Sequence, residues 1–151
     1  MKRVPLIMLL IAGSGSVYYL INTNADNIVI RIISIILGCI MVSAIHEMGH
    51  CLAAFITKIP VYDVGIELYG FIPRGYTKVN LEKASKTSII AFFAGGSICT
   101  LFLFFITLAF NSYHFIQLIA LFSTVINIIP LYKNDGYYIL RECLRLLEHN
   151  K

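Results

Sequence analysis

Long apolar runs constrain the fold of this chain more than any other feature of its sequence. A membrane-spanning helix needs about 20 consecutive apolar residues. Hydrophobic residues make up 58% of the 151 positions and charged residues only 13%, whereas soluble domains have roughly 45–50% and about 25%. The runs therefore predict an all-α polytopic membrane protein with about four transmembrane helices. These predicted helices cover residues 4–21, 28–57, 88–110 and 113–131.

Little sequence remains outside the apolar runs. Residues 58–87 form one long connection, and residues 136–148 follow the last run as an amphipathic helical tail. A chain of this length has room for one compact domain, so we expect residues 1–151 to form a single membrane-embedded domain. The first run follows Lys2 and Arg3 and is also compatible with a cleaved signal peptide, which stays open as an alternative.

The positions of the positive charges predict the orientation of the helices. Lysine and arginine precede the first run, fill the connection after the second run and follow the fourth, whereas residues 22–27 and 111–112 carry none. By the positive-inside rule, both termini and the long connection are cytoplasmic. We therefore expect a multi-pass protein of the cytoplasmic membrane, in contact with the lipid bilayer. The charges form no basic stripe, so nucleic acid is not an expected partner.

The long connection carries a weak strand pattern. Residues 61–69 partly alternate between apolar and polar side chains, and Gly70, Pro73 and Gly75 follow. This pattern predicts a short β-hairpin-like loop at the cytoplasmic face. Two roles remain open for it: an exposed edge could hold a substrate as an added strand, or the hairpin could cover the protein without touching a substrate.

The second apolar run contains HEMGH at residues 46–50. On a helix, His46 and His50 lie four residues apart on one face, where both imidazoles can reach one zinc ion, and Glu47 is placed beside the metal-bound water as a general base. Burying three ionisable groups without a ligand costs several kcal/mol each. The alternative is an interior histidine pair that forms hydrogen bonds with neighbouring helices.

A catalytic zinc ion needs a third protein ligand and one open position. At 1.5 Å per residue, His46 lies roughly 27 Å and Asp135 roughly 28 Å below the outer membrane boundary, because both follow helices that run inward. By the same estimate His114 lies at the outer surface, and Glu148 lies nearly four turns beyond Asp135 on the tail. Asp135 is therefore the predicted third ligand.

The residues around Asp135 suit that role. Pro130 breaks or kinks a helix, and the turn-forming sequence NDG at residues 134–136 could aim the carboxylate out of the helix axis. A second interpretation is that Asp135 caps the amphipathic tail. The two interpretations are compatible with each other.

Together, two motifs resemble those of the site-2 protease family of intramembrane zinc metalloproteases. The first is HEMGH at residues 46–50, and the second is N-x-x-P-x-x-x-x-D-G at residues 127–136. The resemblance implies a three-helix catalytic core in a minimal form without a PDZ or CBS domain. It implies that His46, His50 and Asp135 hold Zn²⁺, that Glu47 activates water and that Asn127 places the substrate or stabilises the transition state. For Asn127, a hydrogen bond between helices is an equal alternative.

The sequence departs from the family pattern at two places. The third apolar run reads AGG at residues 94–96, where relatives often show Ala-Gly-Pro, and Lys133 and Asn134 stand where many relatives are apolar with an extra proline. These departures bear on the substrate path more than on the metal site.

The expected function is therefore that of a zinc metalloendopeptidase that cleaves a membrane-embedded protein or peptide in or near the bilayer. The alternative is a non-catalytic membrane protein that uses the same zinc site to bind metal or a partner. A zinc carrier would need further ionisable residues along a path across the membrane, and the sequence shows one cluster. A separate regulatory membrane protein is a further possible partner.

Overall fold

The computed structural model describes residues 28–69, 72–109, 114–131 and 133–149. It confirms a mostly helical fold with a two-stranded hairpin in the long connection. The predicted helix at residues 4–21 lies outside the described residues. In chain order, the elements are α1 (Ile28–Thr57), β1 (Val61–Tyr69), β2 (Ile72–Val79), α2 (Lys86–Ala109), α3 (His114–Ile128) and α4 (Asp135–His149).

Two of the described helices are long and apolar enough to cross a membrane, namely α2 and the Ile32–Thr57 part of α1. The apolar helix α3 has 15 residues, which gives a length of about 22 Å, whereas the hydrocarbon core of a bilayer is about 30 Å thick. Among the described residues, two helices are thus long and apolar enough to span a membrane. The four-span topology stays a prediction.

The outward faces of these helices are apolar. Phe55 on α1 is 81% exposed, Phe102 on α2 is 65% exposed and Phe122 on α3 is 66% exposed. Large exposed apolar surfaces on a protein mark contact with a partner or a membrane. Helices that are apolar on every side suit a bilayer.

Small residues let α1 and α2 approach each other closely. Gly49 on α1 faces Gly95 on α2, and a Cβ atom at position 95 would lie 2.7 Å from Cβ of Ala53. Such small-residue contacts allow tight helix packing in a membrane, where burial of apolar surface adds little. Nearer the start of α1, Met41 and Val42 form a buried cluster with Ile116 and Ala120 of α3.

Hydrogen bonds join α2 to α3 inside this apolar core. The Oγ1 atoms of Thr124 and Thr100 are 2.8 Å apart, and Gln117 Nε2 donates to the carbonyl oxygen of Thr107 at 2.7 Å. Buried polar groups need such partners, since an unmet hydrogen bond costs free energy. The two helices therefore pack as one unit.

A tight cap ends α1 and starts the hairpin. Lys58 has φ of 58°, the Lys58 N–H donates to the carbonyl oxygen of Phe55, and the Ile59 N–H donates to that of Ala54 at 2.8 Å. This is the Schellman arrangement, with buried Ile59 and Ala54 in contact. The chain then enters β1, which pairs antiparallel with β2, and β2 packs against α1.

Candidate metal centre

Helix α1 places two histidines side by side in the interior. His46 and His50 are 7% and 5% exposed, and their Nε2 atoms lie 3.2 Å apart. The spacing of four residues puts both imidazoles on one helix face. The rings meet edge to face, and the short distance between their Nε2 atoms brings both nitrogens to one region.

Asp135, the first residue of α4, completes the cluster. Its Oδ2 atom lies 2.9 Å from Nε2 of His46 and 3.2 Å from Nε2 of His50. Burial raises the pKa of the Asp135 carboxyl, but hydrogen bonds with the two histidines outweigh burial and hold this pKa below its usual value. A lowered pKa favours the ionised carboxylate, which is the form that binds a metal.

Asn134 positions Asp135 by joining the end of α3 to the start of α4. Its Nδ2 atom lies 2.6 Å from the carbonyl oxygens of both Ile126 and Ile129. Its Oδ1 atom accepts the Tyr137 N–H at 3.0 Å, which makes Asn134 the N-cap of α4. The capping role considered for Asp135 thus belongs to Asn134, and the Asp135 side chain is free to face the histidines.

Helix α4 is held along α2. The rings of Tyr138 and Phe93 stack with centroids 4.6 Å apart, and Lys86 Nζ donates to the carbonyl oxygen of Arg145 at 3.0 Å. On each helix the two contacts are seven residues apart, about two turns, and the two helices run in opposite directions. Because α2 also packs on α1, these contacts fix the distance between Asp135 and the histidine pair.

The hydrogen bonding of His50 determines which of its nitrogens faces the cluster as an acceptor. His50 Nδ1 lies 2.8 Å from the carbonyl oxygen of Phe92, which can only accept, so Nδ1 carries the hydrogen. In the neutral imidazole Nε2 then bears a lone pair, which lies beside Asp135 Oδ2 and His46 Nε2. A nitrogen lone pair and a carboxylate oxygen repel each other at this distance unless a proton or a cation lies between them.

The geometry of the cluster fits a metal ion. In a tetrahedral site with metal–ligand bonds of about 2.1 Å, ligand atoms are about 3.4 Å apart. The observed separations of 2.9, 3.2 and 3.2 Å are only slightly shorter. Two imidazole nitrogens and one carboxylate oxygen also form a donor set that transition metals accept. The cluster could therefore hold a metal ion, although the same contacts also describe a salt bridge with protonated histidine.

Gly96 on α2 makes room for the imidazoles. A Cβ atom at this position would lie 2.6 Å from Nε2 of both His46 and His50. In the sequence this glycine appeared as a departure from a family pattern. Its physical role, a surface without a side chain against which both rings lie, became visible only in the fold.

Glu47 lies beside the cluster under strand β2. It is buried, and its Oε2 atom accepts a hydrogen bond from Thr77 Oγ1 at 2.6 Å. A Cβ atom at Gly75 would lie 2.6 Å from Glu47 Oε1, so the strand passes directly over the carboxylate. The Gly75 N–H donates to Ser43 Oγ at 3.2 Å. Through these contacts the hairpin covers Glu47, and a role in holding a substrate as an added strand stays a prediction.

A cavity of about 660 Å³ brings these groups together. Glu47, Asn127 and Cys39 line it along with the three clustered residues. Asn127 Nδ2 donates to the carbonyl oxygen of Ser123 in its own helix at 2.9 Å. The cavity is large enough to admit water.

Several contacts that shape the site were not predicted from the sequence. Asn134 could have been identified as an N-cap, because asparagine directly before a helix is a common capping residue. No sequence pattern indicated three other roles, because these roles depend on contacts between elements that are distant in sequence. They are the roles of the Thr77 hydroxyl, the Gly75 backbone and the Phe92 carbonyl.

Comparisons with protein-family models, with curated proteins and with solved structures found no match. A functional proposal for this chain therefore depends on the geometry of the site.

Proposed function

We propose that this chain is an intramembrane zinc metalloendopeptidase of the site-2 protease type. Its substrate would be a membrane-embedded protein or peptide, cleaved in or near the bilayer. The observation that supports this most is the convergence of His46, His50 and Asp135 on one cavity that Glu47 also lines. The motif resemblance and the apolar exterior point the same way.

The proposed metal is zinc, held by the two imidazole nitrogens and the carboxylate oxygen of Asp135. Zinc commonly takes three protein ligands in hydrolases and leaves a fourth position open. When bound, it would polarise the substrate carbonyl and lower the pKa of a water molecule. The Phe92 carbonyl would keep His50 in the tautomer that presents Nε2 to the ion.

The proposed general base is Glu47. Its carboxylate would accept a proton from water and later transfer this proton to the nitrogen of the leaving amine. Burial beneath β2 would limit the access of other water molecules to this carboxylate. Asn127 would donate its second Nδ2 hydrogen to a substrate carbonyl, a supporting role in the same cavity. In the membrane, we propose that both termini face the cytoplasm, and a separate membrane protein could regulate the enzyme.

Glu47→Gln provides the decisive test of the proposed function. We expect the purified full-length chain in detergent to bind about one zinc ion and to cleave some members of a library of synthetic apolar peptides of about 20 residues. We expect Glu47→Gln to keep its zinc and to lose cleavage by about 10²-fold or more, the usual effect of removing a general base. Metal content is measured by mass spectrometry, and the peptide products are identified in the same way.

Glu82→Gln serves as the matched control, because Glu82 is exposed and lies outside the cavity. This variant should cleave like the parent chain. If zinc-loaded Glu47→Gln cleaves as fast as the parent, the hydrolytic role of Glu47 is wrong. If the zinc-loaded parent cleaves no peptide, the alternative of a non-catalytic metal-binding or partner-binding protein is favoured.

A further inference from the structure

The inner face of β2 carries a hydroxyl group aimed at the proposed general base. Thr77 Oγ1 donates to Glu47 Oε2 at 2.6 Å, and this is a short, charge-assisted hydrogen bond if the carboxylate is ionised. The two residues are 30 positions apart in sequence. A contact of this kind depends on how the hairpin is placed on α1.

Two further contacts hold β2 at that position. The Gly75 N–H donates to Ser43 Oγ on α1, and the absence of a side chain at Gly75 lets the strand lie on Glu47. On the opposite edge β2 is paired with β1, with Val64 opposite Thr77. The hydroxyl of Thr77 is therefore fixed by a strand that is itself attached on both sides.

The orientation of a general base affects the rate of a reaction. A carboxylate on a glutamate side chain has several rotamers, and only some of them point toward the water that must lose a proton. A hydrogen bond to one oxygen selects an orientation and leaves the second oxygen to accept the proton. In this site Thr77 occupies Oε2, which leaves Oε1 for that task.

We infer that Thr77 is the positioning residue for Glu47, and that the hairpin serves to hold the general base in place as well as to cover it. This inference depends on the proposed function, because it assigns Glu47 its role as general base. It makes Thr77 a determinant of the turnover rate. Metal binding and substrate affinity should depend little on Thr77, because its hydroxyl contacts Glu47 and Cys51 and no residue of the metal cluster.

Thr77→Val and Thr77→Ser test this role. Valine keeps the shape of threonine and lacks the hydroxyl, whereas serine keeps the hydroxyl. With the same peptide library, we expect Thr77→Val to lower kcat about 10- to 100-fold with an unchanged KM and full zinc content, the size of effect seen when a supporting hydrogen bond in an active site is removed. Thr77→Ser should stay within about threefold of the parent.

Thr107→Val is the matched control, because the hydroxyl of buried Thr107 donates to the carbonyl oxygens of Leu103 and Phe104 in its own helix α2. Its kcat should equal that of the parent. Equal losses in Thr77→Val and Thr77→Ser, or an unchanged kcat in Thr77→Val, would overturn the inference. If Thr77→Val does not fold, we expect the same loss of kcat in Thr77→Ala with zinc retained. An unchanged kcat in Thr77→Ala would then overturn the inference.

A stability measurement tests the contact without any catalysis. The melting temperatures of the parent, Thr77→Val, Glu47→Ala and the double variant form a double-mutant cycle. If Thr77 acts through Glu47, the double variant should melt at about the temperature of Glu47→Ala alone. Fully additive losses would show that the two side chains do not interact, whether or not the chain proves to be a protease.

Discussion

Single residues without side chains decide whether the cluster of His46, His50 and Asp135 can form. Gly96 lies against the rings of His46 and His50, and Gly75 lies against the carboxylate of Glu47. At either position the Cβ atom of an alanine would lie 2.6 Å from a side-chain atom of the site, namely an imidazole Nε2 or Glu47 Oε1. The imidazoles and the carboxylate thus depend on neighbours that contribute only backbone, because only glycine allows such a close approach.

Gly96→Ala should disrupt the metal centre while the helices stay in place. The added Cβ would lie 2.6 Å from two imidazole nitrogens, so the rings must turn away and zinc affinity should fall at least about tenfold. Competition with a fluorescent zinc chelator measures this affinity. Gly38→Ala on α1 is the control, because its Cβ would lie 3.4 Å from the flexible Cδ1 end of Ile119. Parent-like affinity in Gly96→Ala would refute this account of the site.

At the scale of elements, the segment between Ile128 at the end of α3 and Asp135 at the start of α4 brings Asp135 to the histidines. Helix α3 ends at Ile128, two residues before Pro130, and Lys133 has φ of 62°. Irregular backbone at membrane depth is tolerated where it lines a cavity or is buried in protein. Here Asn134 satisfies carbonyl groups of the first helix and an N–H group of the second.

Asn134→Ala should loosen the connection between these two helices. The variant loses an N-cap and two hydrogen bonds, one to Ile126 in α3 and one to Ile129 just after it. The free energy of unfolding should therefore fall by about 1–2 kcal/mol, and zinc affinity should fall with it. Denaturant unfolding in detergent gives the first quantity and chelator competition the second. Asn80→Ala removes two hydrogen bonds in an exposed turn and should leave zinc affinity unchanged. An equal loss of zinc affinity in both variants would argue against a role specific to Asn134.

At the scale of the whole molecule, the cluster connects parts of the chain that are far apart in sequence. His46 and Asp135 are 89 positions apart, and α2 lies between them as the common packing surface. A metal ion bound here would cross-link α1 to α4. Its removal should therefore reduce the stability of the entire described bundle.

Removal of zinc should lower the melting temperature of the protein in detergent. A ligand that binds only the folded state stabilises it by about 2.7 kcal/mol at a free concentration of 100 times Kd, so the melting temperature should rise with added zinc and fall with a chelator. Differential scanning calorimetry measures both changes. Asp135→Ala should show a much smaller response to zinc. If the variant responds as strongly as the parent, Asp135 is not a ligand.

The sequence by itself determined the helices and the chemical groups. Runs of apolar residues predicted α1 in its full observed extent and α2 and α3 to within about three residues at each end, because helix formation depends on local composition. The spacing of His46 and His50 placed both rings on one face, since that follows from helix geometry alone. Turn residues before Asp135 indicated the break in the helix.

The tertiary structure alone decided which of these groups meet and what supports them. Asp135 reaches the histidines because Asn134 joins two helices and α2 holds α4 against the rest of the bundle. The contact of Thr77 with Glu47 and the space provided by Gly96 likewise depend on where a strand and a helix are packed. Such contacts join residues distant in sequence, and no local pattern records them, because packing is a property of surfaces that exist only after the elements have formed.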